Sequence, residues 1–381
     1  LNRRYSALTL ITVAFACISA AVLGTFGVFL YRFGGQSELN AALKYSEIKQ
    51  IISEYYIGDY HPLDVDAAAY RAAIESLDDD WSYYMTAEQH EYYNQYSDNR
   101  YAGIGVTISA HEETGGLLIT NVAADSPAEL AGIQIGDIMI AVDGESIFGM
   151  TVGEVKAIIQ PKLGGELSLT LQDSAGEQRT LLLNCELVYQ NPVKYELLEH
   201  NIGYISIENF ENGSGSGAVS AVDALISQGA VSLIFDVRSN PGGKVTQLLE
   251  ILDYLLPEGD LFITKSKEGE EKVEVSDADF IDLPIAVLVD ADSYSAAEFF
   301  AAALSDYEWA TVVGQRTTGK GRSQVTFTLS DGSAVHISNN VYLTPNRIDL
   351  SEQGGLVPDI EVSADDTGDD SQLQAAIACL R

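Results

Sequence analysis

Residues 285–304 read IAVLVDADSYSAAEFFAAAL. A run of strand-type apolar residues passes through Asp292, Ser293, Tyr294 and Ser295 into a run of helix formers. A hydroxyl at such a junction has two readings. As a cap, its oxygen accepts a bond from an unpaired N–H of the first helical turn. As a nucleophile, it needs a base to take its proton and donors to hold an oxyanion. The segment DVRSNPGG (236–243) offers donors, because a strand ending in paired glycines before a helix leaves backbone N–H groups pointing outward. Open α/β sheets bind ligands at that C-terminal strand edge. No histidine stands in a comparable motif, whereas Lys320 lies between two glycines, 25 residues after Ser295.

Two stretches imitate phosphate loops. GQRTTGKG (314–321) has the G-x-x-x-x-G-K spacing but ends in Gly321, where Ser or Thr should bind magnesium. A strand pattern follows it, not the helix whose N-terminus would hold phosphate. NPGGKVTQ (240–247) precedes a helix but lacks the spacing. The 56 acidic residues against 21 basic ones, a formal charge of −35, argue against a nucleic-acid partner. Cys17, Cys185 and Cys379 lie far apart and the five histidines are scattered, so neither a disulfide framework nor a metal site is expected. No cofactor is expected.

The elements that must position these residues follow from periodicity. Ala7 to Tyr31 is 25 residues without a charge, flanked by Arg3, Arg4 and Arg32. That length exceeds the ~20 residues that cross a bilayer and favours a retained anchor over a cleaved signal. The arginine balance places the N-terminus in the cytoplasm and the remainder on the extracytoplasmic side of the cytoplasmic membrane. Residues 38–99 are helical and amphipathic, broken at 59–64 and 77–85, with Asp64 and Thr86 as N-caps. This tyrosine-rich module is expected to support self-association into a homo-oligomer. From Tyr101 to Cys185 the period becomes two, interrupted by SPAELAG (126–132) and TVGEVKAIIQ (151–160). Together with GDIMIAVDG (136–144), this order resembles a PDZ domain. Gly103, Ile104, Gly105 and Val106 then fall where such a domain binds a peptide's terminal carboxylate, although glycines there also mark bulges. From Ile202 onward, strands and helices alternate as in an α/β sheet with crossovers. LFITKSKEGEEKVEV (261–275) reads as an exposed charged hairpin, and QVTFTLS/SAVHISNNVYLT as a second hairpin.

Six ordered blocks identify a family resemblance. LDDDWSYYM, YAGIGVTI, GYISIENF, FDVRSNPGG, VLVDADSYSAAEFFAAAL and VVGQRTTGKGRSQ resemble the blocks of the C-terminal processing peptidases (tail-specific proteases), from about Tyr45 to Val362. YLTPN and GLVPDIEV match the last block. The resemblance implies a multidomain fold: an N-terminal transmembrane helix, a small helical module, a β-rich PDZ domain and an α/β, ClpP/crotonase-like serine peptidase domain. The boundaries are 1–6 for a cytoplasmic tail, 7–31 for the anchor and 35–100 for the helical module. They continue with 101–188 for the PDZ domain, 189–365 for the peptidase and 366–381 for a C-terminal segment. It implies Ser295 as nucleophile, Lys320 as general base and Gln324 as the residue orienting that lysine. Gly242, Gly243 and Ala296 would supply the oxyanion donors. Strand spacing is expected to set Gln324 on the same face as Lys320. The partners implied are protein substrates selected by their C-terminal peptide. The chain departs from the pattern at Tyr294 and Ala297, where the family carries Ala and Ser, and at QPKLGGE (160–166), where it carries RGxxGT.

Overall fold

The computed structural model describes residues 6–32, 34–111, 114–363 and 370–381. The chain divides into two compact units, Leu1–Ala68 and Ala69–Arg381. In the first, α1 (Ala7–Arg32) carries a span, Leu8–Arg32, with mean hydropathy 2.2 and no buried share. At ~1.5 Å per residue, such a span exceeds the ~30 Å hydrocarbon core of a bilayer. Length and composition therefore suit a membrane anchor or a signal sequence. α2 (Gln36–Tyr55) and α3 (Pro62–Glu75) follow. Asp66 joins these two helices, accepting from Tyr45 Oη at 2.6 Å and pairing with Lys49 at 2.6 Å. Pro62 takes the first helical position, which suits its fixed φ. Asp64, expected as an N-cap, consequently lies within the first turn.

The second unit begins inside α3 and includes β1 (Tyr83–Met85) and α4 (Ala87–Ser97). Thr86 caps α4 as expected, in a capping box with Gln89. Residues 69–100, placed by the sequence reading in the helical module 35–100, thus belong to the compact unit that holds the two larger domains.

The β-rich domain is entered by β2 (Arg100–Gly103). It contains β3 (Val106–Ala110), β4 (Leu117–Val122), α5 (Pro127–Leu130), β5 (Ile138–Val142) and β6 (Glu145–Ser146). α6 (Val152–Ile159), β7 (Glu166–Gln172) and β8 (Gln178–Asn184) complete it. The exit strand β9 (Glu186–Tyr189) pairs with β2, so both connections leave side by side. The sheet order is β3-β4-β5-β7-β8, which leaves β3 at an edge. Along β7, Leu167, Leu169 and Leu171 alternate inward and pack with Leu117, Met139 and Val155. The period of two is what a sheet with one buried face requires.

In the α/β domain, β10 (Val193–Leu197), β11 (Ile202–Ile207), α7 (Ser214–Ser227), β12 (Ser232–Asp236) and α8 (Val245–Leu255) come first. The hairpin β13 (Gly259–Ser266) and β14 (Glu271–Ser276) precedes β15 (Ile285–Val289) and α9 (Ala296–Asp306). β16 (Ala310–Gly314), β17 (Arg322–Thr328), β18 (Ala334–Leu343), α10 (Leu350–Gln353), β19 (Ile360–Glu361) and α11 (Ser371–Cys379) complete the chain. The main sheet runs β10-β11-β12-β15-β16-β19, parallel except at β10. β12 and β15 are buried throughout because both faces are covered. Leu233, Phe235, Val287 and Val289 meet the core beneath α7, α8 and α9, whereas Ile234, Ala286 and Leu288 meet Ala376 of α11. The C-terminal segment is therefore a layer of the fold. A second sheet sets β17 along one side of β18, with β1 and β13 end to end along the other. The 261–275 hairpin is not simply exposed, since Leu261, Phe262 and Ile263 are buried.

Candidate active site

β12 and β15 are adjacent and parallel, so the loops leaving their C-terminal ends emerge together. Side chains brace the two loops. Asp290 accepts the N–H of Ser239 at 2.9 Å and its hydroxyl at 3.0 Å. Fully buried Ser293 donates to Val237 O at 2.8 Å and accepts the Asp290 N–H at 3.0 Å. The Tyr294 N–H reaches Asn240 O at 3.2 Å. Ser293 thus ties one strand end to the other.

Ser295 is the hinge between this turn and α9, with φ 58° and ψ −122°. A non-glycine residue there is strained by ~1–3 kcal/mol and persists only when its surroundings hold it. Glu298, three residues on, does much of the holding. Its fully buried carboxylate accepts the N–H groups of Ser295 at 3.1 Å, Gly319 at 2.8 Å and Lys320 at 2.5 Å. It also accepts the Thr317 hydroxyl at 2.7 Å. Burial raises the Glu298 carboxyl above its usual range, against the pull of these four donors. Glu298 is not among the site residues expected from the sequence; in the structure it takes the lysine's backbone N–H. The S-x-x-E spacing was the available signal, because a glutamate at that position reaches back to its helix start.

Lys320 follows Gly319, whose φ of +90° and contact with Gly354 and Gly355 leave no room for a side chain. The Lys320 carbonyl accepts the Tyr342 hydroxyl from β18. Its ammonium makes no hydrogen bond or ion pair among the described residues, and Nζ sits 4.5 Å from the centroid of the Trp81 ring. Burial pushes the amine down to about 8, partly offset by Glu298 and Asp79. Gln324 is placed differently from the expectation. Lys320 precedes β17, so the two do not share one strand, and the Gln324 amide makes no hydrogen bond to Lys320 Nζ among the described residues. The Gln324 amide donates to Arg322 O at 2.9 Å and Ser338 Oγ at 3.1 Å.

Of the three expected oxyanion donors, Gly242 packs directly on the serine turn. A Cβ there would stand 2.8 Å from Ser295 Cβ and Ala296 N. Its own N–H is taken by Asn240 Oδ1 at 2.8 Å, and Asn240 is anchored to Ile207 O at 2.7 Å. The N–H groups of Gly243 and Ala296 have no hydrogen-bond acceptor among the described residues. Gly243 is clamped against Phe210, whose N–H donates to Gly242 O at 2.7 Å and whose carbonyl accepts the Lys244 N–H at 2.7 Å. A distant loop thereby sets the glycine pair.

In the β-rich domain, Gly103 closes β2, Ile104 is buried, Gly105 has φ +87° and Val106 opens β3. The Ile104 carbonyl accepts the Ala128 N–H at 2.9 Å, and the Gly105 carbonyl accepts the Ala123 N–H at 2.8 Å. A side chain on Gly105 would collide with Ser126. These bonds hold the four residues as a tight connection into the edge strand.

Comparison with known proteins gives the family and the domains. The profile of peptidase family S41 matches residues 201–362, and a PDZ domain profile matches 118–173. The carboxy-terminal processing protease CtpA of Bacillus subtilis is 31% identical over 320 residues, covering 84% of this chain and 68% of that protein. A CtpA-like serine protease of Staphylococcus epidermidis is 28% identical over 348 residues, covering 90% of this chain and 70% of that protein. The crystal structure of an S41 protease from Bacteroides fragilis superposes with TM-score 0.55 at 16% identity, covering 87% of this chain and 96% of that one. With its PDZ domain and its α/β domain in the expected order, the chain belongs to peptidase family S41, as a serine-type peptidase of the carboxy-terminal processing group.

Proposed function

We propose that the protein is a membrane-anchored endopeptidase that cuts exported proteins near their C-termini through Ser295 and Lys320. The observation that carries this reading is the Glu298 carboxylate, which accepts backbone N–H groups of both the serine turn and the lysine loop. One buried group thereby couples the two residues the chemistry needs. Neutral Lys320 takes the Ser295 proton as Oγ attacks the scissile carbonyl carbon. The N–H groups of Gly243 and Ala296 receive the oxyanion. As the C–N bond breaks, the lysine proton passes to the leaving amine, and an acyl ester remains on Ser295. Water, deprotonated by the same amine, attacks the ester carbon, and the lysine proton passes to Ser295 Oγ as the C–O bond breaks and the acid leaves. Gln324 supports the lysine loop through β17 and Ser338.

Substrate choice falls to the PDZ domain. β3 is an edge strand preceded by the Gly103–Val106 connection, so an extended peptide can add to it with its carboxylate at that connection. The α/β domain is read as ClpP/crotonase-like, on its mostly parallel sheet with helices on both faces. α1 is the anchor, with the rest of the chain outside the cytoplasm. Self-association is assigned to the helical segment 38–99, in which Leu43, Ile48, Ile51 and Leu63 are exposed.

An acylating peptide derived from a substrate C-terminus tests the reading. Wild type should be labelled and Ser295→Ala should not. Equal labelling of the two, or a Lys320→Arg variant with near wild-type turnover, refutes it, because arginine keeps the charge but does not deprotonate.

A further inference from the structure

We propose that Trp81 is a positioning residue for Lys320, its indole face holding the amine beside the serine turn and stabilising the ammonium that forms during catalysis. This inference rests on the reading of Lys320 as the base. Three observations carry it. First, Nζ lies 4.5 Å from the ring centroid, well inside the ~6 Å reach of a cation–π contact, and makes no other polar contact among the described residues. Second, the same indole packs on Tyr294, with ring centroids 5.6 Å apart and planes 34° from parallel. Because Tyr294 directly precedes Ser295, one ring links base and nucleophile. The large ring at 294 is also where the chain departs from its family pattern.

Third, Trp81 is anchored independently of either loop. Its backbone N–H meets Asp79 Oδ1 at 3.4 Å, and Ser82 donates to Asp79 Oδ2 at 2.5 Å while accepting the Ser338 N–H at 3.0 Å. β1 then pairs with β18, the strand whose Tyr342 holds the Lys320 carbonyl. The second sheet therefore fixes both the backbone that carries the indole and the lysine backbone.

The choice of a π face has a chemical reason. A carboxylate in contact with Nζ would hold the proton on and suppress the base. An indole attracts the cation more weakly, so it orders a flexible side chain and still lets the neutral form exist. When the proton leaves Ser295 Oγ for Nζ, the new positive charge appears against that face. The interaction is stronger in the transition state than before it, which is the condition for raising kcat. Among the described residues, the charged or titratable groups around Lys320 include Glu298 on α9, Asp79 before β1, and His336 and Tyr342 on β18.

The test is the pH dependence of kcat/KM for full-length wild type, Trp81→Leu, Trp81→Phe and Lys320→Arg on one peptide substrate. Leucine keeps an apolar cover but removes the π face, so the cation loses support. The plateau should fall ~3–30-fold and the acid limb should move ~0.5–1 unit toward lower pH, with phenylalanine between leucine and wild type. An acid limb that superimposes on wild type, or that moves to higher pH, overturns the proposal while Lys320→Arg remains inactive. Should Trp81→Leu not fold, the Trp81→Phe limb decides by the same criterion. An active Lys320→Arg overturns the base assignment itself.

Discussion

The Glu298 carboxylate accepts the backbone N–H of Lys320 at 2.5 Å, while the side-chain ammonium has no carboxylate partner among the described residues. A buried acid three residues from Ser295 thus shapes the lysine loop, with its hydrogen bond going to the lysine's backbone N–H. Its two oxygens serve four donors: Ser295 and Lys320 N–H on one, Gly319 N–H and the Thr317 hydroxyl on the other.

Glu298→Gln should therefore be costly. One amide nitrogen must face two donors, leaving them unsatisfied in a buried place. The expected loss is about 2–6 kcal/mol of stability, from the cost of two stranded groups. Turnover should fall at least tenfold where the variant remains folded. Thermal unfolding and kcat measured on the same preparation check both.

Lys320 supplies a pH prediction. Below about 8 the amine is protonated, so kcat/KM should fall roughly tenfold per pH unit on the acid side and level off above. Stability follows the same group. The folded amine has lost its proton between about 8 and the unfolded value near 10.5, where the unfolded chain still holds one. Stability from this group therefore rises with pH across that window and is lowest at and below its start. Lys320→Met should be inactive yet have a higher Tm than wild type at pH 7, with the difference shrinking toward pH 10.

Gly242→Ala should separate catalysis from folding. The added methyl meets Ser295 Cβ and Ala296 N at 2.8 Å and strains a φ of +88°. Displacing the serine turn should cost ~10²–10³ in kcat, the scale of a lost oxyanion donor. The Tm should fall by only several degrees, for ~1–2 kcal/mol. A kcat within threefold of wild type would contradict the proximity of this glycine to the reacting atoms.

The carboxylate role of the PDZ connection is checked with the Ser295→Ala protein, which should bind without cutting. A peptide ending in apolar residues should bind at least tenfold tighter than its C-terminally amidated form. Gly105→Val should remove that difference, because a side chain there collides with Ser126. Equal affinity of both peptides for the parent protein would remove the carboxylate from the recognition scheme.

Local information was enough for much of this protein. Strand–helix alternation located β11 through β16, the S-P-A-x-x-A-G and G-D blocks located the PDZ domain, and Ser295 and Lys320 stood out by their glycine-flanked and helix-start settings. Such features are set by residues within a few positions of one another, so a linear pattern records them. What the tertiary structure alone decided lies in contacts across large sequence separations. Trp81 reaches Lys320 from a turn that precedes the whole PDZ domain, and β1 joins β18 although the pattern around it is helical. Phe210 clamps the glycine pair, and α11 covers a sheet face from the far end of the chain. A strand of three residues has almost no periodicity of its own; its conformation comes from the partner it pairs with. The direction of an ammonium group depends on which distant ring or acid arrives beside it, and no local spacing encodes that arrival.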